Sequence, residues 1–301
     1  MQETEEGRVP GEWSRNWTSR VLSRIFPPRC ARADCVSRPL IWRRTPMIRM
    51  DDRWLCSARC VEAEARATFE HMSMPKEPAA GHRVPLGLLM LARGFLSEAQ
   101  LQTVLAAQRQ ARGGKIGSWA QRLNFSTERQ VLTALSLQWS CPVLALQTPP
   151  DFTCTAMIPW KLLQALRMMP VRFIRSTRLL YLALCEGIDH GALLAIEQML
   201  VCHVVPCLVS DHAMDAWIER KSSWTAPGVR VFNQTSGAAE MARITASYAG
   251  RLCADQIQIV RCGAHGWVRL TAGGNKSDLL FDLGWLHHDR PAEGLEWSAV
   301  G

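Results

Sequence analysis

Apolar positions along the chain recur in two matched stretches. They are PLGLLMLARGFLSEAQLQTVLAAQ at 85–108 and KIGSWAQRLNFSTERQVLTALSLQ at 115–138. Gly87 aligns with Gly117, Gly94 with Asn124, Leu101 with Val131, Leu105 with Leu135 and Gln108 with Gln138. The spacing predicts a helix–turn–helix in each copy. LGLLMLAR forms a first helix that Gly94 ends, and Asn124 stands at the equivalent place. Glycine and asparagine are the residues that most readily take the left-handed conformation after a helix. SEAQ (97–100) and TERQ (127–130) then predict two capping boxes, Ser97 with Gln100 and Thr127 with Gln130. Neither copy can bury its apolar stripe alone, so the two are expected to pack together.

The remaining pattern divides the chain further. Residues 1–29 form an extension in which Trp13, Trp17, Val21 and Ile25 recur with Arg15, Arg20 and Arg24 between them, the pattern of a short basic amphipathic helix. Residues 30–72 hold a cysteine cluster, and 73–83 is a Pro/Gly/Ala linker. The tandem copies occupy 84–146. Residues 157–221 read as a small α/β unit. Its first helix is IPWKLLQALRMM, stopped by Pro170, and VRFI and RLLYLALC follow as strands. HGALLAIEQML reads as a helix, HVVPCLVS as a strand, and DHAMDAWIERK as a last helix with Asp211 as its N-cap. Residues 222–236 read as loop. A C-terminal module at 237–283 has one helix followed by strands, and 284–301 is a polar tail. The fold class expected is α+β multidomain: a four-cysteine zinc finger, a helical tandem-motif subdomain, a small α/β subdomain and a C-terminal helix plus β-hairpin module.

Composition narrows the function. The chain has 301 residues, 48% hydrophobic and 21% charged, the balance of a globular protein. No run approaches the roughly 18 apolar residues that span a bilayer. The N-terminus is acidic and lacks the apolar core of a signal peptide, so a cytoplasmic location is expected. The net charge is +8, and residues 1–60 carry twelve Arg against seven acids. Such a basic end can meet nucleic acid, anionic lipid or an acidic partner. AGGNKS (272–277) lacks the spacing of a phosphate loop and reads as a hairpin turn. No triad of catalytic side chains stands out, and enzyme activity is not expected.

Four of the eleven cysteines are spaced as ligands. CARADC places Cys30 and Cys35 together, and WLCSARC places Cys56 and Cys60 at the start of a helical run. Tetrahedral zinc takes four such thiolates as two close pairs from two chain segments. The layout resembles a treble-clef zinc finger: a knuckle, a hairpin through PLIWRR and RMDDRW, then a cysteine pair leading into a helix. Four unligated thiols are the alternative, although this stretch has little apolar mass to fold without a metal. A four-cysteine site would be structural, with no position left for water. Cys262 with His265, and Cys202, His203 and Cys207, carry ligand-type side chains but read as core and strand residues.

The tandem pattern, together with Ile158, Pro159, Leu162, Pro170 and Val171 downstream, resembles the MshE-type N-terminal domain of type II secretion and type IV pilus assembly ATPases, the general secretion pathway protein E family. The resemblance covers residues 84–221. No motor sequence follows it here. It implies a non-catalytic adaptor or regulator that docks to secretion or pilus assembly proteins, in the cytoplasm or peripheral at the inner membrane. Some members of that family bind cyclic di-GMP through the two motifs. Carried over, the ligand-binding candidates are Arg83, Leu86, Gly87 and Gln108, with Lys115, Ile116, Gly117 and Gln138. Two positions depart from the family pattern: Pro85 stands where a basic residue is expected, with Arg83 two residues earlier, and Asn124 replaces a glycine. A nucleic-acid-associated regulator that uses the basic finger, and a purely structural interaction protein, remain alternatives.

Overall fold

The computed structural model describes residues 29–35, 47–72, 83–144, 153–185, 187–221 and 228–284. The basic amphipathic helix, the strand expected at PLIWRR, most of the linker and the C-terminal tail lie outside the described residues.

After the cysteine knuckle at 30–35 comes a tight hairpin, β1 (Ile48–Met50) and β2 (Arg53–Leu55). The pairing is antiparallel, with Arg49 opposite Trp54. Both strands therefore lie within 48–55, so RMDDRW forms a hairpin of its own. Asp51 makes the reversal possible, at φ +50°, a region that aspartate tolerates better than most residues. Helix α1 (Ala58–Glu70) follows, and it buries Cys60, Val61, Ala65 and Phe69.

The tandem copies form the helices α2 (Leu86–Ala92), α3 (Glu98–Gln110), α4 (Ile116–Arg122) and α5 (Glu128–Trp139). Both capping boxes are present. Gly94 and Asn124 both take positive φ, +68° and +54°. The first helix of each copy packs on the second helix of the other, α2 on α5 and α4 on α3. Leu101 and Val131 are buried as expected. Val104 and Ala134, also one period apart, are sealed completely.

The α/β region starts with a 3₁₀ turn at Cys154–Met157 and α6 (Trp160–Ala165). Next come β3 (Met168–Ile174), β4 (Leu179–Leu184), α7 (His190–Leu200), β5 (His203–Leu208) and α8 (Asp211–Lys221). The first helix is shorter than its sequence pattern suggests. Met168 and Met169 belong to β3, and Pro170 sits within that strand beside a register shift. A bulge is where a strand tolerates proline. Ser210, not Asp211, caps α8: its hydroxyl accepts from the Ala213 N–H at 3.2 Å. β4 pairs with β3 antiparallel and with β5 parallel.

The segment read as loop before residue 236 contains β6 (Val229–Phe232), parallel to β9 (Asn275–Asp282). Between them lie α9 (Ala238–Arg251), β7 (Gln256–Cys262) and β8 (His265–Ala272). AGGNKS makes a hairpin turn, with Gly273 and Gly274 both at positive φ, as a two-residue type I′ turn requires. The larger sheet runs β2-β1-β7-β8-β9-β6 and the smaller β3-β4-β5. The fold is mixed α+β.

Two compact units emerge. One takes residues 1–70, 236–258 and 270–276; the other takes 71–235, 259–269 and 277–301. In the first, α1 packs along the alanine-lined face of α9 (Ala242, Ala246 and Ala249), and β1 pairs in parallel with β7, Arg49 opposite Gln256. In the second, the large core gathers α6, α7, β3, β4 and β5 around Trp267 and Leu280. A smaller core fills the tandem bundle.

Candidate functional site

The four predicted cysteines converge. The Sγ atoms of Cys30, Cys35, Cys56 and Cys60 all lie within 4.8 Å of one another. Cys35 is 3.4 Å from Cys56 and 3.7 Å from Cys60, and Cys56 is 3.8 Å from Cys60. Thiolates bound tetrahedrally at about 2.3 Å stand about 3.8 Å apart along each edge, so the cage has the right size. The local chain explains the convergence. The Ala31 N–H donates to Trp54 O at 2.8 Å, which docks the knuckle on β2. The Ser57 hydroxyl accepts from the Cys60 N–H at 3.3 Å and starts α1 between the second pair.

Crowding shapes the thiols. Burial, then hydrogen bonds to Cys35, Cys30 and Cys60, push Cys56 up to about 12. Burial also raises Cys60. A bound metal would supply the charge that lets these two thiols ionise. The four cysteines are thus placed to hold a metal ion.

The tandem residues are brought together in a different way. Gly87 and Gly117 are close-packing points. A Cβ on Gly87 would lie 2.8 Å from Leu101 Cδ1, and one on Gly117 2.6 Å from Val131 Cγ1. Leu86 lies near Gly117, and Ile116 near Gly87. These four therefore meet at the centre of the pair. The glutamines bind across the duplication. Gln108 Nε2 donates to Gly114 O at 2.6 Å, just before α4, and Gln138 Nε2 donates to Val84 O at 2.9 Å, just before α2. Gln138 thus belongs with the start of the first copy, and Gln108 with the start of the second. Lys115 is exposed directly before α4. Arg83 is held over the Trp139 ring, 3.8 Å from its centroid, with Nη2 3.3 Å from His190 Nε2. Sequence reasoning did not single out Trp119 or Trp139. Trp119 Nε1 donates to Gly113 O at 3.0 Å, and the Gly113-Gly114 pair beside a tryptophan was the available signal.

Among the described residues, the remaining ligand-type residues form no metal-ligand group of three or more. Cys262 is buried in the core, with its thiol pushed up to about 12 by burial, and Cys207 is likewise buried at about 12. His203 is exposed and pairs with Glu197 at 2.9 Å.

Part of the chain resembles the MshE-type N-terminal domain. Among solved structures, the chain is similar to MshE with cdg at 27% identity and a TM-score of 0.40, over 46% of this chain and 99% of that one. The N-terminal domain of XpsE is similar at 22% identity and a TM-score of 0.34, over 47% and 94%. A second crystal form of that domain, I4122, gives 19% and 0.28 over 49% and 99%. No family model and no curated protein matches the chain. Among the described residues, no helix is long and apolar enough to cross a membrane.

Proposed function

We propose that this chain is a non-catalytic adaptor or regulator whose MshE-type region docks on a secretion or pilus assembly component. A zinc ion held by Cys30, Cys35, Cys56 and Cys60 stabilises its N-terminal finger, and cyclic di-GMP tunes the tandem region. The reading rests on one observation above all. The duplication sets the same group of residues twice, a small or basic lead-in, an aliphatic residue, a glycine and the other copy's glutamine. A ligand with two equivalent halves fits a site built twice.

Each residue then has a role. Lys115 and Arg83 offer charge to the two phosphates. Leu86 and Ile116 face the bases. Gln108 and Gln138 each keep an amide oxygen after spending an N–H on the backbone. The Gly87 and Gly117 packing serves a bare scaffold equally well, so titration decides. Calorimetry of the full chain with cyclic di-GMP should give saturable heat with Lys115→Ala weakened at least about tenfold. No heat at high micromolar ligand removes the ligand and leaves the docking role. That role is tested by co-purification with secretion or pilus components. Metal analysis should return one zinc per chain.

The nucleic-acid alternative loses support at the finger. Its described residues carry five arginines and six acids. Arg32, Arg49, Arg53 and Arg66 pair with Asp34, Asp52, Glu64 and Glu70. Of the basic excess of residues 1–60, seven arginines and four acids lie outside the described residues.

A further inference from the structure

The lead-ins to the two copies are anchored differently. Before α4, the carbonyls of Gly113 and Gly114 accept from Trp119 and Gln108, side chains of the bundle itself. Before α2, Gln138 makes the matching bond to Val84, but arginine stands where the other copy has Gly113. The Arg83 guanidinium lies over the Trp139 ring and reaches His190. Trp139 ends α5 and packs against the core of the α/β region. Gly187 lies against its ring, where a Cβ would come within 3.0 Å of Cζ2. His190 is the first residue of α7, directly after its Asp189 cap. One side chain therefore joins the start of α2 to the end of α5 and the start of α7.

That hold is exchangeable. Among the described residues, Arg83 makes no ion pair with a carboxylate; it rests on an indole face and an imidazole nitrogen. A phosphodiester oxygen is a stronger partner, because both members of the hydrogen bond are then charged. The departure at Pro85 sharpens the point. With no basic residue directly before Leu86, Arg83 is the nearest cation preceding it in sequence.

We propose that Arg83 is a two-position arm. In the free chain it clamps the lead-in of the first copy onto Trp139 and His190. When a cyclic dinucleotide sits at that copy, the guanidinium turns to a phosphate and releases both, so that occupancy is passed to α7. The second copy has Gly113 at the matching position. This inference rests on the ligand reading above.

Calorimetry of the full chain with cyclic di-GMP tests it. His190→Ala, an exposed change, weakens the resting clamp and is expected to tighten binding by about threefold to tenfold. Arg83→Ala is expected to weaken it at least about tenfold. Hydrogen exchange across 187–193 should rise with ligand in the native chain and stay level in Arg83→Ala. If the native chain gives no heat, the ligand reading and the arm fall together. If it binds but His190→Ala matches it, or Arg83→Ala binds equally well, the arm is overturned and the ligand reading stands. If the native chain binds with no rise in exchange at 187–193, transmission to α7 is overturned.

Discussion

Gly87 and Gly117 occupy the same place in the duplication, yet they should respond differently to the same substitution. The neighbour that a methyl group meets at Gly87 is the tip of Leu101, which can rotate away. At Gly117 it is a methyl of Val131, whose χ1 is nearly fixed in a helix. Alanine gains up to about 1 kcal/mol of helix propensity at either site. Overpacking costs about 1–3 kcal/mol. Gly87→Ala should therefore be close to neutral and Gly117→Ala clearly destabilising, as read from urea midpoints. Equal midpoints would refute this account of the packing.

A second single-side-chain effect depends on pH. Burial holds the His265 imidazole below its ordinary 6.5; Asp282 opposes that and Lys161 adds to it. Among the described residues its Nδ1 is buried without a partner. The unfolded chain takes up a proton near 6.5, while the folded chain resists until lower pH. The unfolded state thus binds more protons in that window, and stability falls as pH drops below about 6.5. His265→Gln should flatten that part of the curve. Parallel curves for the two proteins from pH 8 to 5 would exclude His265 as the cause.

Among the elements, β8 and β9 are fastened by a buried ion pair. Arg269 donates to both carboxylate oxygens of Asp278, at 2.8 and 2.9 Å, and to Met157 O in the 3₁₀ turn. Trp267 Nε1 also donates to Asp278, at 3.0 Å. Asp278→Ala leaves a buried guanidinium without its partner and should cost about 3–5 kcal/mol. Replacing both residues, Arg269→Met with Asp278→Leu, should cost less than the single change. A double variant as damaged as the single one would contradict this.

Local elements were the most legible. Both capping boxes and the Gly94/Asn124 turns depend on neighbours within a few positions, and the pattern states them. The four-cysteine cage was legible for the same reason, because its chemistry is specified by residue type and spacing. Two local expectations failed where a longer-range partner decided. Pro170 continues β3 because a bulge accepts it. Val229–Phe232 is a strand because β9 lies alongside. The pairing of Arg49 with Gln256 has no local signature at all.

The unit that contains the cysteines is assembled from both halves of the chain. The apolar face of α1, with Val61 and Phe69, is covered by α9. A chain ending at residue 235 should therefore lose finger structure even with zinc present, seen as reduced helicity and faster metal loss to a chelator. Retention of zinc at the native rate would show that the finger stands alone. In the full chain, stripping the metal should lower the melting temperature and disturb α9 as well as α1, because the two share one core.

Translation gives that shared core a timetable. At about 5–20 residues per second, a ribosome needs on the order of 10–40 s to travel from Cys60 to the start of α9. During that interval four clustered sulfhydryls are out in the cell before their supporting helix exists. Whatever reaches them first, a metal donor or an oxidant, acts on a half-built nest. Growth conditions that starve cells of zinc should therefore lower the yield of this protein during synthesis more than they harm copies already finished.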